Sequence, residues 1–165
     1  MKQILLLLFV FSGAFAGAQV ATDTTAPFRR FPSVAPFKLL QPDSVHFFAK
    51  ADLPKDQAVL LMLFSPSCDH CQKETEDLIK RIDDFRNIQI VMATPMPFNQ
   101  MKEFHQRYQL SRFPNIHVGF DYQFFLPTFY RVRNLPFLVM YDKSGKLLST
   151  FEGNLGIDNL LQVFR

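Results

Sequence analysis

The sequence predicts an α/β domain, a mixed central β-sheet flanked by helices with a short N-terminal hairpin ahead of it. Three observations carry this. Residues 58–64 run Ala-Val-Leu-Leu-Met-Leu-Phe without a polar side chain, the pattern of a strand buried on both faces. The polar segment 69–86 follows at once, with Leu78, Ile79, Ile82 and Phe85 recurring at helical spacing. Beyond it, apolar strands at 88–93 and 137–141 alternate with a helical stretch at 98–110, and the order strand, helix, strand, helix, then hairpin and helix requires a sheet with helices on its faces.

The remaining elements fall around that framework. Phe37-Lys38-Leu39-Leu40, the turn-forming Gln41-Pro42-Asp43-Ser44 and Val45-His46-Phe47-Phe48 read as a small hairpin before the core. Asp142-Lys143-Ser144-Gly145 makes a tight turn into a strand over 146–151, and 155–164 reads as a closing helix. No internal repeat is visible.

With 165 residues, 48% of them hydrophobic and 20% charged, the chain suits one packed domain and excludes a wholly disordered or fibrous protein. Its net charge of +3 is mild, and Lys and Arg are interspersed with Asp and Glu, so there is no nucleic-acid footprint. The basic pair Arg29-Arg30 lies among prolines in a segment read as a tether.

The N-terminus sets the expected compartment. Lys2 precedes the apolar run 4–11, which is too short for the roughly 20 residues a spanning helix needs and ends in two small-x-small cleavage sequences, Ala14-Phe15-Ala16 and Ala16-Gly17-Ala18. Residues 1–18 are read as a cleaved signal peptide of an exported, periplasmic protein, with an uncleaved membrane anchor as the alternative. No cysteine follows the run, which argues against a lipid anchor. Residues 19–36, with Pro27, Pro32 and Pro36 and no sustained apolar period, are expected to form a flexible or extended leader, and 37–165 the folded domain.

The chain has two cysteines, placed as Cys68-Asp69-His70-Cys71 where the buried strand gives way to the helix. A helix N-terminus presents unpaired N–H groups and partial positive charge, which favour a thiolate there and make Cys68 the expected nucleophile. Cys71, one helical turn on, can close a small ring with it, so the pair can cycle between dithiol and disulfide. A purely structural disulfide is a weaker reading, because a loop this short constrains little of the unfolded chain. A metal site would draw on the scattered His46, His105 and His117, since no second cysteine pair or close histidine pair is present. His70 favours a thiolate beside it when protonated and Asp69 disfavours one, so their effects on the redox couple oppose each other.

Phe64-Ser65-Pro66-Ser67-Cys68-Asp69-His70-Cys71, with Tyr130-Arg131-Val132-Arg133-Asn134-Leu135-Pro136-Phe137 and Tyr141-Asp142-Lys143-Ser144-Gly145-Lys146 downstream, resembles the thioredoxin superfamily, and within it the exported TlpA-like, redoxin-domain branch. The resemblance spans 37–165. It implies a thioredoxin-like fold, a thiol-disulfide oxidoreductase without cofactor or bound metal, client proteins carrying disulfides or thiols, and a membrane or periplasmic redox partner. It also implies that Pro136 is a cis-proline opposite the cysteines and that Leu135 offers its backbone to an extended client segment. A copper-binding or metallochaperone module on the same scaffold is the rival from another class.

Two positions depart from the family pattern. Ser67 stands where Trp commonly precedes the first cysteine, and Met62 where thioredoxin carries a buried acid assigned to proton transfer for the second cysteine. Glu74 and Glu103 are candidate substitutes, each expected from its surroundings on a solvated helix face. Seven aromatics between Phe113 and Tyr130 read as core packing and a cover over the sheet, with an exposed apolar ledge for clients as the alternative.

Overall fold

The computed structural model describes residues 26–165. The expected signal peptide and residues 19–25 of the leader lie outside them. Among the described residues no helix is long and apolar enough to cross a membrane.

One mixed seven-stranded sheet organises the chain. Its strands are β1 (Lys38–Leu40), β2 (Phe47–Ala49), β3 (Ala58–Leu63), β4 (Ile88–Thr94), β5 (Ile116–Phe120), β6 (Phe137–Tyr141) and β7 (Leu147–Glu152), in the order β2-β1-β5-β4-β3-β6-β7. Strands β3, β4 and β5 run parallel, while β6 is antiparallel to β3 and β7 to β6. The predicted hairpin β1–β2 forms with Leu39 opposite Phe48, and it extends the main sheet through the Leu40–Phe120 pairing instead of standing apart.

Alternation along β3 explains why its sequence is apolar throughout. Leu60 and Met62 face one core with Phe64, beneath α2 (Asp69–Lys80), α3 (Phe98–Arg107) and α5 (Ile157–Val163). Val59, Leu61 and Leu63 face the other, beneath the short helices α1 (Pro27–Arg30) and α4 (Phe125–Tyr130). Both faces are therefore covered, as the parallel strands require.

Residues 26–36, the described part of the segment expected to be flexible or extended, pack onto the domain. Phe28, Val34 and Ala35 are buried in the second core, and Ser33 bridges Lys146 beside β7. The Tyr130 and Tyr141 hydroxyls bond each other, and the Ala35 backbone N–H faces both hydroxyl oxygens, which anchors the segment. Three prolines interrupt its apolar period, so burial here left no sequence pattern.

Candidate active site

The site forms where β3 ends. Phe64 continues the strand into the core, its N–H bonding the Ala93 carbonyl, and Ser65–Pro66–Ser67 turns the chain out of the sheet into α2. Cys68 is the N-cap residue of α2: its backbone is extended, and its Sγ accepts the Cys71 N–H at 3.4 Å. A sulfur in this position receives one of the amide donors that a helix start leaves unpaired. Both cysteines are free thiols. Cys68 is partly exposed, whereas Cys71 is buried.

The opposite wall comes from the start of β6. Because Leu63 pairs with Phe137, the residues just before Phe137 lie at the same end of the sheet as Cys68. The Leu135–Pro136 bond is cis, and the Cys68 Sγ–H points to the Leu135 carbonyl at 3.8 Å. Gly153, following β7, donates its N–H to the Pro136 carbonyl at 2.7 Å and completes this wall. Cys68, Cys71, Leu135 and Pro136 are thus brought together. Asp69 and His70 occupy the exposed first turn of α2.

Glu74 corrects the expectation of a solvated face. It lies one turn beyond Cys71 on the buried stripe of α2 formed by Cys71, Glu74, Thr75 and Leu78, and it is 0% exposed. Neither of its carboxyl oxygens has a hydrogen-bond partner; the Leu155 N–H is near enough to favour the charged form slightly without closing a bond. Burial, reinforced by the Asp77 charge, pushes the Glu74 carboxyl up to about 7. Burial also pushes the Cys71 thiol up, and its hydrogen bond with Cys68 and the Glu74 charge add to this. Two acids that both resist ionisation therefore adjoin on one buried helix face. Met62, at the position of the family's usual acid, is fully buried and apolar. Glu103 is exposed on α3, beside a groove of about 190 Å³ that also borders Pro66 and Ser67.

His46 and His117 find their partners elsewhere. His46 bonds Asp43 in the hairpin turn at 2.6 Å, and His117 stacks on Phe48 and bonds the Gln89 side-chain oxygen at 2.7 Å. Among the described residues no three His, Cys, Asp or Glu side chains form a group that could hold a metal ion. The aromatic stretch divides: Tyr130 is core, while Tyr122 and Phe124 are exposed.

A depression of about 720 Å³ lies at the opposite end of the sheet, bordered by the first residues of β3 and β4, Ala58 and Ile88. The chemistry available at the cysteines needs no such cavity, since a thiolate attacks a disulfide presented at the surface.

Solved structures share this fold. A structure described as a candidate thioredoxin from Neisseria meningitidis superposes with a TM-score of 0.65 at 24% identity, over 79% of this chain and 86% of that one. Mycobacterium tuberculosis dsbF superposes with a TM-score of 0.66 at 19% identity, over 78% of this chain and 92% of that one. A secreted disulfide oxidoreductase from Mycobacterium tuberculosis gives 0.63 at 19% identity, over 78% and 93% of the two chains. No curated protein sequence matches significantly. The family model of the thioredoxin-like domain matches residues 48–165, from the second strand to the end of the chain. With its fold shared by those structures and most of its length matched by that model, the chain belongs to the thioredoxin-like family.

Proposed function

We propose that the protein is an exported thiol-disulfide oxidoreductase that exchanges disulfides with client proteins through Cys68 and Cys71. The observation that carries this reading is the free dithiol at the start of α2, its outer sulfur facing the Leu135 carbonyl and its inner sulfur buried one turn from Glu74.

In the reducing direction the Cys68 thiolate attacks one sulfur of a client disulfide. The S–S bond breaks, and the departing client sulfur takes the electron pair and a proton. The client is then joined to Cys68 through a mixed disulfide. Cys71 loses its proton to the Glu74 carboxylate, and its thiolate attacks the Cys68 sulfur. This expels the second client sulfur, which is protonated in turn, and leaves a Cys68–Cys71 disulfide. Two electrons and two protons have passed to the client, and a dithiol redox partner must return them before another cycle. The oxidising direction runs the same steps backwards.

Glu74 is the proton acceptor in this scheme because an unpartnered buried carboxyl pushed up to about 7 can take and return a proton near neutral pH. Leu135 and Pro136 form the surface along which an extended client segment lies. The N-terminal residues 1–18 supply the export signal.

The test is reduction of a protein disulfide such as that of insulin. Wild-type protein is expected to turn it over, and Cys68→Ser to abolish turnover while leaving the thermal unfolding transition in place. Unaltered activity in Cys68→Ser would defeat the proposal.

A further inference from the structure

Glu74 is approached by a second element of the chain. Between β7 and α5, Gly153-Asn154-Leu155-Gly156 forms a short loop, and both glycines lie in the left-handed region, at φ 95° and φ 78°. A Cβ built at either would meet nothing within 4 Å, so the backbone path, and not crowding, calls for glycine at these two positions. The loop is tied at both ends. The Gly153 N–H bond to the Pro136 carbonyl joins it to the wall that faces Cys68, and the Leu160 N–H bonds the Gly156 carbonyl at 3.0 Å in the first turn of α5. The Asn159 side-chain amide, on the exposed side of α5, donates to the Leu155 carbonyl at 3.1 Å.

Held in this way, Leu155 packs against the core cluster that contains Cys71 and Leu78. Its N–H reaches toward the buried Glu74 carboxyl, whose two oxygens have no hydrogen-bond partner. The charged and titratable groups acting on Glu74 from its own helix are Cys71, Lys73 and Asp77. Lys73 is engaged by Asp77, with which it forms an ion pair on the outer face of α2. From outside α2 the polar approach to the carboxyl is made by the Leu155 N–H. A buried carboxylate with no partner is costly, and one backbone donor is enough to change how much of it is ionised.

We infer that the Leu155 N–H is the donor that holds Glu74 in its proton-accepting form, the loop between Gly153 and Gly156 closing the remaining gap when the carboxyl ionises. The inference rests on the reading of Glu74 as acceptor of the Cys71 proton. Leu155 is then a positioning residue that acts through Glu74, and Asn159 braces it. When the Cys71 S–H passes its proton to a Glu74 oxygen, the charge facing the N–H is neutralised and the hydrogen bond relaxes. When the carboxyl releases that proton, the bond closes again.

The experiment replaces Leu155 by the α-hydroxy acid of leucine, which exchanges the backbone N–H for an ester oxygen and keeps the side chain. Asn159→Ala removes the brace separately. The Glu74 carboxyl carbon of the dithiol protein is followed by 13C NMR against pH, with Glu74→Gln assigning its signal. The wild-type midpoint is expected at about 7. In the ester protein it should rise by about 0.5–1 unit, the scale of one lost hydrogen bond, and in Asn159→Ala it should rise by less. The pH inflection for the attack of Cys71 on a preformed mixed disulfide should move with it. An unchanged carboxyl midpoint in the ester protein would overturn the inference. Should the ester protein fail to fold, as its amide spectrum reports, an unchanged midpoint in Asn159→Ala would overturn it. A carboxyl midpoint that moves while the kinetic inflection stays fixed would instead remove Glu74 as the acceptor and leave Leu155 as its donor.

Discussion

Cys71 and Glu74 occupy successive turns of the same buried face of α2, and neither carboxyl oxygen of Glu74 has a hydrogen-bond partner. A carboxyl in this setting costs stability, because burial disfavours its charged form. Retaining it where Leu would pack better is intelligible if its proton is used. Glu74→Gln is therefore expected to slow the resolving attack of Cys71 by about 100-fold, the usual scale for losing a positioned base. Wild-type resolution should speed up with pH through about 7, and the variant should lack that inflection. Stopped-flow decay of a preformed mixed disulfide measures both; equal rates and pH profiles would remove Glu74 from the mechanism.

The same residue links stability to pH. Its folded value of about 7 lies above the ordinary 4.5, so the folded state holds the proton more tightly than the unfolded state. Below about 4.5 both states are protonated and there is no penalty. As pH rises through the folded value, stability is lost, by an amount on the order of 3 kcal/mol at most. Glu74→Gln should thus gain stability relative to wild type between pH 4 and pH 8. Urea midpoints at the two pH values check this, and a constant difference between the proteins would contradict it.

Close approach of β1 to β5 gives a prediction remote from the cysteines. A Cβ added at Gly119 would lie 2.5 Å from the Leu39 Cβ and 3.2 Å from the Leu40 carbonyl oxygen. Gly119→Ala must therefore push the hairpin off the sheet, at a cost of about 1–3 kcal/mol. The denaturation midpoint should fall, while disulfide turnover by the folded fraction stays unchanged. An unchanged midpoint would mean that β1 yields freely.

The elements legible in the sequence are those whose side chains repeat cleanly. The apolar run of β3 and the helical stripe of α2 located the strand-to-helix junction and with it both cysteines. Strand β5 and helix α4 were hidden in the aromatic stretch for identifiable reasons. In β5, Ile116-His117-Val118-Gly119-Phe120 interrupts its apolar residues with a histidine bonded to Gln89 and a glycine required for packing. In α4, Pro127 sits within a helix of six residues bounded by the left-handed Phe124 and Arg131. Glu74 was misplaced because α2 is largely polar, so one more carboxylate looked solvated. The signal was present in the spacing: Glu74 is three residues after Cys71 and four before Leu78, on the stripe those two define.

Residues 26–36 show the complementary case. Phe28, Val34 and Ala35 pack into the second core without any helical or strand period, because prolines set the path and single side chains fill gaps beside Tyr130 and Tyr141. Composition identified a proline-rich segment but carried no information about what it touches.

The most direct test is to trap the first covalent step. Cys71→Ser protein, incubated with a protein disulfide and quenched with acid and alkylating reagent, is analysed by non-reducing electrophoresis and peptide mass spectrometry. A mixed disulfide at Cys68 that accumulates in Cys71→Ser, is cleared in wild type and is absent from Cys68→Ser is the predicted result. No adduct at Cys68, with client disulfides reduced as fast as by wild type, would contradict the assignment of attacking and resolving thiols.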